Sequence, residues 1–476
     1  MDGPVPTSSV PEEEVFKTPA GVRSYFHGIY RSLRSRWVNL DRTAGNATDT
    51  WGYAAVHLAR VNKGTDVINT GGWYQFDYRQ ENRQPMYRRV TFTWGFFYEH
   101  INQLNVLISG VEKSTFADSD KQRFLAEARA LRGWLYFELV REFQHGWARD
   151  SLAPGVPLYR QPSSLANKGA PRGTLQQVYA FIHADLDFAL AHLPMDRGLK
   201  SQVNLRVARG LAARIYLEQG RWEEALEAAR QAREGCALDA AQYRNHFKEM
   251  EASPEVIWGF AQTQGGGSQT LEFGTPSSFF DQTGSGYGNF YVSAALVSAF
   301  SVTDVRNTFF IAGNDPGGPD RYATNKFGKP STQKVQLVTG EEVFKKTIDF
   351  DESLVLLRAA EMYLVEAEAL ARLGRPEAGE VLYTLQVNRD PQKSASEASG
   401  AELVKEILLE RRKELYGEGG IEWLDAKRLQ LPLERSANHP AAYRMVLPPN
   451  DPRLVLKIPQ KELDTNDFMD ERDQNP

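Results

Sequence analysis

Carboxylates and arginines crowd one stretch near the carboxy terminus, where Glu410, Arg411, Arg412, Glu414, Glu418 and Asp425 follow one another closely. Two carboxylates facing each other across a cleft are what general acid–base cleavage of a glycosidic bond requires. Here, however, the acids alternate with arginines at spacings that put both signs on neighbouring helical positions. That pattern favours ion pairs along and between helices over catalysis, so the segment is expected to hold the fold.

A second set of residues could do the chemistry of stacking. Trp51, Tyr53, Trp73, Tyr74, Phe76 and Tyr78 flank or sit in polar, turn-rich segments, and Tyr287, Phe290 and Tyr291 follow the glycine-rich TGSGYG at 283–288. An aromatic face offers a flat apolar platform to the C–H face of a sugar, while polar neighbours bind its hydroxyls. Asp49 and Asp77 are the nearest polar candidates. The candidate ligand-binding set is therefore Trp51, Tyr53, Trp73, Tyr74, Asp77, Tyr287, Phe290 and Tyr291. Loop clusters also need a small core of their own, so part of this set serves only to anchor loops. Trp134, Tyr136, Phe137, Trp222 and Tyr363 lie on helical stripes and are expected in the core.

Other chemistries find little support. The eight histidines show no paired ligand spacing, and neither HExxH, a Walker A loop nor GxSxG occurs. TGSGYG lacks the strand-then-helix context of a phosphate cradle. NDPGGPD at 314–320 could offer Asn314, Asp315 and Asp320 to calcium, but its spacing misses the EF-hand pattern and a plain turn is the simpler reading. No catalytic residue, metal site or cofactor is expected. Cys236 is the sole cysteine, which excludes an intrachain disulfide. The net charge of −5, with both signs mixed along the chain, gives no basic footprint for nucleic acid. The opening MDGPVPTSSVPEEEVF has neither the charged nor the apolar region of a signal peptide.

The elements that must position these residues are helical. Residues 203–234 read as two helices around a tight turn: Val207, Leu211 and Ile215 form one stripe, Gly220 breaks the chain, and Ala225, Ala228, Ala229 and Ala232 line the return helix. This is the tetratricopeptide pattern, and such a hairpin needs stacked neighbours to bury its faces. Further helices are expected at 19–30, 51–61, 93–111, 121–143, 174–193 and 401–416, with a second hairpin at 354–387. Residues 144–171 should be loop, and the last forty residues extended chain. The expected fold is all-α: tetratricopeptide-like hairpins stacked in an α-solenoid, with a loop-rich insertion of little regular structure and short strands at most. Its parts are an arm at 1–18, a helical part at 19–237, the insertion at 238–350, and helical hairpins with an extended tail at 351–476.

Several blocks in order carry more than a generic repeat: EARALRGWLYFELVREF at 127–143, GVPL at 155–158, RGTLQQVYAFIHADLDFALAHLP at 172–194, RAAEMYLVEAEALARLG at 358–374, ERRKELYGEG at 410–419 with Trp423, Asp425 and Arg428, and IPQKELDTN at 458–466. Together they resemble the SusD/RagB family across nearly the whole chain. One departure is local: Ile421 and Glu422 stand where the family often has an arginine before its aromatic-Asp pair. The resemblance implies a single SusD-like domain, lipid-anchored at the outer surface of the outer membrane, with the anchoring cysteine lying before this chain. It also implies capture of oligosaccharides, or in some members peptides, for a SusC-like TonB-dependent transporter, without catalysis. The family's ligand sites lie on loops from the early part of the chain and from the central insertion, which agrees with the aromatic set above. Two other functions are weighed against this one. An intracellular tetratricopeptide scaffold would need near-continuous repeats, against which the long insertion speaks. A helical glycoside hydrolase would need its two carboxylates placed across a cleft.

Overall fold

The structure, a computed structural model, describes residues 12–35, 37, 48–164, 166–195, 198–241, 243–261, 274–280, 286–311, 321–327, 329–336, 338–347 and 352–476. The start of the expected arm, GGGS at 265–268, the first half of TGSGYG and the NDPGGPD turn lie outside the described residues. Before the insertion the helices are α1 (Glu12–Val15), α2 (Pro19–Arg34), α3 (Gly52–Lys63), α4 (Gln75–Tyr78), α5 (Arg88–Lys113), α6 (Asp118–Phe143), α7 (Leu175–His192), α8 (Leu205–Gln219) and α9 (Trp222–Arg233). The insertion holds α10 (Pro276–Phe280) and α11 (Ala294–Val297). After it come α12 (Ala359–Arg372), α13 (Ala378–Arg389), α14 (Gly400–Leu415), α15 (Ile421–Arg428) and α16 (Gln460–Thr465).

The helices stack in sequence order from α5 to α9, and α9 then packs directly on α12, so the solenoid runs on past the insertion. The joints follow from the sequence. Asn204 caps α8 by accepting from the Val207 amide at 2.9 Å, and Gly220 ends it in the left-handed conformation (φ 68°) that glycine adopts without strain. Ala225, Ala228, Ala229 and Ala232 are buried along α9, which lets its backbone approach its neighbours closely. Thr174 and Gln177 form a reciprocal capping box on α7. Phe16, expected in a loosely held arm, is instead buried, with its ring 5.7 Å from that of Tyr25.

The insertion is more regular than its composition suggests. Strand β1 (Val67–Asn69), from the amino-terminal part, pairs antiparallel with β5 (Phe290–Ser293). Next come β7 (Arg321–Thr324) and β6 (Phe310–Ile311), completing a sheet of order β1-β5-β7-β6. A separate hairpin joins β8 (Lys329–Gln336) and β9 (Glu342–Thr347). A ribbon of β4 (Val256–Phe260) with β10 (Leu354–Arg358) brackets the insertion. Residues 354–358 were expected to open a helix. LVLLR is a continuous apolar run of strand length, buried on both sides, and only at Ala359 does the helical period begin. Likewise β2 (Pro154–Pro157) pairs with β3 (Arg172–Thr174) across the expected loop, and β11 (Leu433–Arg435) with β12 (Met445–Leu447) in the carboxy-terminal tail.

The 410–428 segment forms the electrostatic centre. Glu414, fully buried, accepts from Arg306 at 2.8 Å, from Arg389 at 3.0 Å and from Arg358. Its carbonyl oxygen accepts from the Tyr243 hydroxyl at 2.9 Å and the Lys326 ammonium at 3.0 Å. Burial alone would raise this carboxyl, but the three guanidiniums outweigh it and hold it well below the ordinary carboxylate range. Arg411 pairs with Asp425 at 2.9 Å, and Arg428 bridges Asp425 and Glu368. Glu422, at the position where the sequence departs from the family pattern, accepts from the Thr65 and Asp66 amides at 2.7 and 2.9 Å. Arg412 binds Asp66 beside it.

Glu414→Ala leaves three buried arginines short of a partner and is expected to cost about 3–5 kcal/mol, read from chemical denaturation; an unchanged midpoint would contradict this account. Burial, and after it the Glu422 carboxylate, push the Asp66 carboxyl up to about 7. A raised acid favours the folded state in its protonated form, so this group's contribution is lost as pH rises from about 4 toward 7. The melting temperature of Asp66→Asn should therefore match wild type near pH 4 and exceed it increasingly up to pH 8.

Candidate ligand-binding site

Residues Thr70 to Tyr74, TGGWY, form a tight loop between β1 and α4. Gly71 and Gly72 have φ of 141° and 75°, and Tyr74 is held left-handed at φ 65° despite its bulk. Two asparagines from the paired strands' ends fix this loop. Asn69 donates to the Trp73 carbonyl at 2.9 Å and accepts from the Gly71 amide at 2.9 Å. Asn289, next to β5, donates to the Gly71 and Trp73 carbonyls at 2.7 and 3.0 Å, and its own carbonyl accepts from the Thr70 amide at 3.0 Å. The β1–β5 register, with Asn69 opposite Phe290, brings the two halves together.

The rings above this frame form one assembly. Phe279, Tyr287 and Phe290 stack, with Phe279 at the centre, 5.3 Å from Tyr287 and 4.8 Å from Phe290. Tyr74 meets Phe279 edge-on at 5.2 Å, and Trp73 meets Tyr287 at 6.0 Å with 72° between planes. Phe279 and Phe290 are fully buried and Tyr74 nearly so, whereas Trp73 is half-buried and Tyr287 is 39% exposed. The exposed pair lines an open cavity of about 580 Å³ together with Phe76, Asn82, Arg88, Asp49 and Asp77. Asp77 accepts from Arg89 at 3.1 Å and from Asn82 at 3.0 Å, and Arg88 holds Asp49 at 3.0 Å. Burial pushes the Tyr74 phenol well above its ordinary range, so it stays neutral.

Of the candidate residues, Trp73, Tyr74, Asp77 and Tyr287 line this cavity together. Phe290 lies beneath it as part of the supporting stack. The other three are elsewhere. Trp51 is buried in the main core against the backbone of Gly274. Tyr53 is buried on α3 with its ring 4.7 Å from Trp134, bordering a small charged interior cavity. Tyr291 points to the opposite side of β5 from Phe290, as strand alternation requires, where the Arg321 guanidinium covers its ring at 5.4 Å. Trp51, Tyr53, Phe290 and Tyr291 therefore stand off the cavity wall. Sequence reasoning missed Asn69 and Asn289, which show no period, and Phe279, whose FF doublet reads as ordinary core. It also missed Arg88, for which a signal exists: two arginines opening a helix oppose its dipole and need a partner.

Residues 39–217 match a family described as starch-binding associating with the outer membrane, and residues 314–476 match the SusD family. The chain belongs to the SusD/RagB family. A SusD-like protein of Formosa agariphila is 24% identical, over 90% of this chain and 87% of that protein. A SusD-like carbohydrate binding protein from Bacteroides vulgatus has the same fold, with a TM-score of 0.83 and 23% identity over 97% of this chain and 98% of the other. A SusD superfamily protein from Bacteroides thetaiotaomicron follows at 0.79 and 23%, over 96% of this chain and all of the other. The first of these matches contains the residues from Asp49 to Arg88 that line the cavity, whereas Phe279, Tyr287 and Asn289 fall between the two.

Asn289→Ala removes the donor that holds both the Gly71 and Trp73 carbonyls. It is expected to lower stability by about 1–3 kcal/mol, and to quench or shift the Trp73 fluorescence relative to a Trp73→Phe background. A variant indistinguishable from wild type in both would show that the loop holds itself.

Proposed function

We propose that this chain is a cell-surface binding protein, lipid-anchored at the outer membrane, that captures oligosaccharides and delivers them to a SusC-like TonB-dependent transporter. The observation that carries the binding half is the Trp73–Tyr287 pair. Two partly exposed rings from sequence-distant loops meet over a rigid aromatic base and face a cavity rimmed by hydroxyl-binding groups. Family membership supports the surface location and the transporter, and the Bacteroides vulgatus relative is named for carbohydrate binding. On this reading the chain does no chemistry of its own. Asp49 and Asp77, the cavity's carboxylates among the described residues, are each bound by an arginine, which positions them. Incubation with a glycan panel should accordingly release no product.

The test is calorimetry on a panel of oligosaccharides. Once a ligand is found, Trp73→Ala and Tyr287→Ala should each weaken it by about 1–3 kcal/mol, roughly ten- to a hundredfold. Tyr291→Phe should leave affinity unchanged. Wild-type affinity in both cavity variants, with the fold intact, would remove this cavity as the site.

A further inference from the structure

Helix α5 begins with Arg88 and Arg89, with no acidic residue in its first turn and no side-chain cap from Tyr87. Cations at that end oppose the helix dipole, so helix stability does not account for them. Each is answered from outside the helix. Arg89 is buried and bound to Asp77 at 3.1 Å behind the cavity wall. Arg88 stays 44% exposed on the wall, and one of its terminal nitrogens lies 3.0 Å from both oxygens of Asp49, whose side chain is 11% exposed. Among the described residues of the wall the charges are therefore Arg88, Asp49 and Asp77, and with Arg89 behind Asp77 they cancel.

Building on the glycan-binding reading above, we infer that the Arg88–Asp49 pair fixes the charge class of the ligand, making this a site for neutral oligosaccharides that disfavours uronate-containing or sulfated ones. A sugar hydroxyl both donates and accepts, so it can sit at the edge of such a pair, donating a hydrogen bond to the carboxylate and accepting one from the guanidinium. A ligand carboxylate or sulfate has only acceptors. Beside Arg88 it meets the Asp49 charge, and taking over the nitrogen that Asp49 holds would leave a largely buried carboxylate without its counter-charge, the costly way to break an ion pair.

The experiment is calorimetry of wild type, Asp49→Asn and Arg88→Gln against two sets of equal length. One set is neutral: cello-, manno-, xylo- and laminari-oligosaccharides. The other is anionic: oligogalacturonate, oligoalginate and sulfated galactan fragments. Wild type should bind within the neutral set, with an affinity that changes little with salt, and at least tenfold more weakly across the anionic one. Asp49→Asn, which unmasks Arg88, should weaken the neutral ligand and strengthen anionic ones, now with a marked salt dependence. Arg88→Gln should weaken the neutral ligand without admitting anionic ones. Circular dichroism confirms the fold of each variant, and Arg88→Gln carries the test should Asp49→Asn not fold. Anionic binding by wild type as tight as neutral binding, and lost in Trp73→Ala, would overturn this inference while leaving glycan capture standing. An unchanged preference in Asp49→Asn would overturn it too. Binding of neither set would overturn both.

Discussion

Glu414 holds three arginines that arrive from three different places: Arg306 from the turn before β6 in the insertion, Arg358 from the end of β10, and Arg389 from the end of α13. A buried carboxylate is stable only if its charge is met, and these three buried guanidiniums share it, each with a further carboxylate of its own: Asp304 for Arg306, Glu418 for Arg358 and Glu255 for Arg389. The fold is therefore constrained from both sides. The insertion cannot lift away without pulling Arg306 from Glu414 and Glu410, and the α12–α14 hairpins cannot shift without pulling Glu414 from Arg358. Interactions of this kind add little net stability compared with a well-packed apolar core, but any arrangement that breaks them is penalised. Their effect is to select one relative placement of solenoid and insertion. The cavity beside Trp73 and Tyr287 depends on that placement, since its lining comes from residues 49–88 and from residues 287–289.

The repeat architecture was legible because helical hairpins advertise themselves locally. Gly220 and the alanine stripe of α9 are both short-range signals, and each stands where the sequence puts it. The ion-rich 410–428 segment was legible as architecture for a similar reason: alternating signs on one helix state that the charges have partners, though not which. What failed was short-range evidence applied to long-range structure. LVLLR fits a buried strand or a buried helix turn equally, and only its partner Val256–Phe260 decides between them. Trp51 and Tyr53 look exposed because polar residues precede them, yet α3 runs through the middle of the molecule and is buried on nearly every face.

The cavity was half legible. Aromatic residues beside glycines and polar groups marked Trp73, Tyr74 and Tyr287, and the β1–β5 pairing brings those loops together. That pairing is set between strands more than two hundred residues apart, and its register lies in no single stretch. Strand alternation then sorts neighbours in ways composition does not show, sending Phe290 under the cavity and Tyr291 to the far side. The asparagines that lock the loop carry no pattern at all, because a side-chain amide holding two carbonyls needs only one well-placed residue.

The ribbon of β4 and β10 has a consequence for how such chains diversify. The strands through which the chain enters and leaves the insertion lie side by side, hydrogen-bonded at the spacing of one strand pair, while α9 meets α12 directly behind them. The insertion is in effect a cartridge on a closed clasp. Its loops can lengthen, shorten or be replaced without opening the solenoid, because closing a longer loop between fixed ends costs little more than closing a shorter one. What a replacement must keep is short: a strand to pair with Val67–Asn69, and an arginine to reach Glu414. Recombination at this clasp would exchange one wall of the cavity while retaining the other, a route by which one scaffold acquires new recognition without refolding.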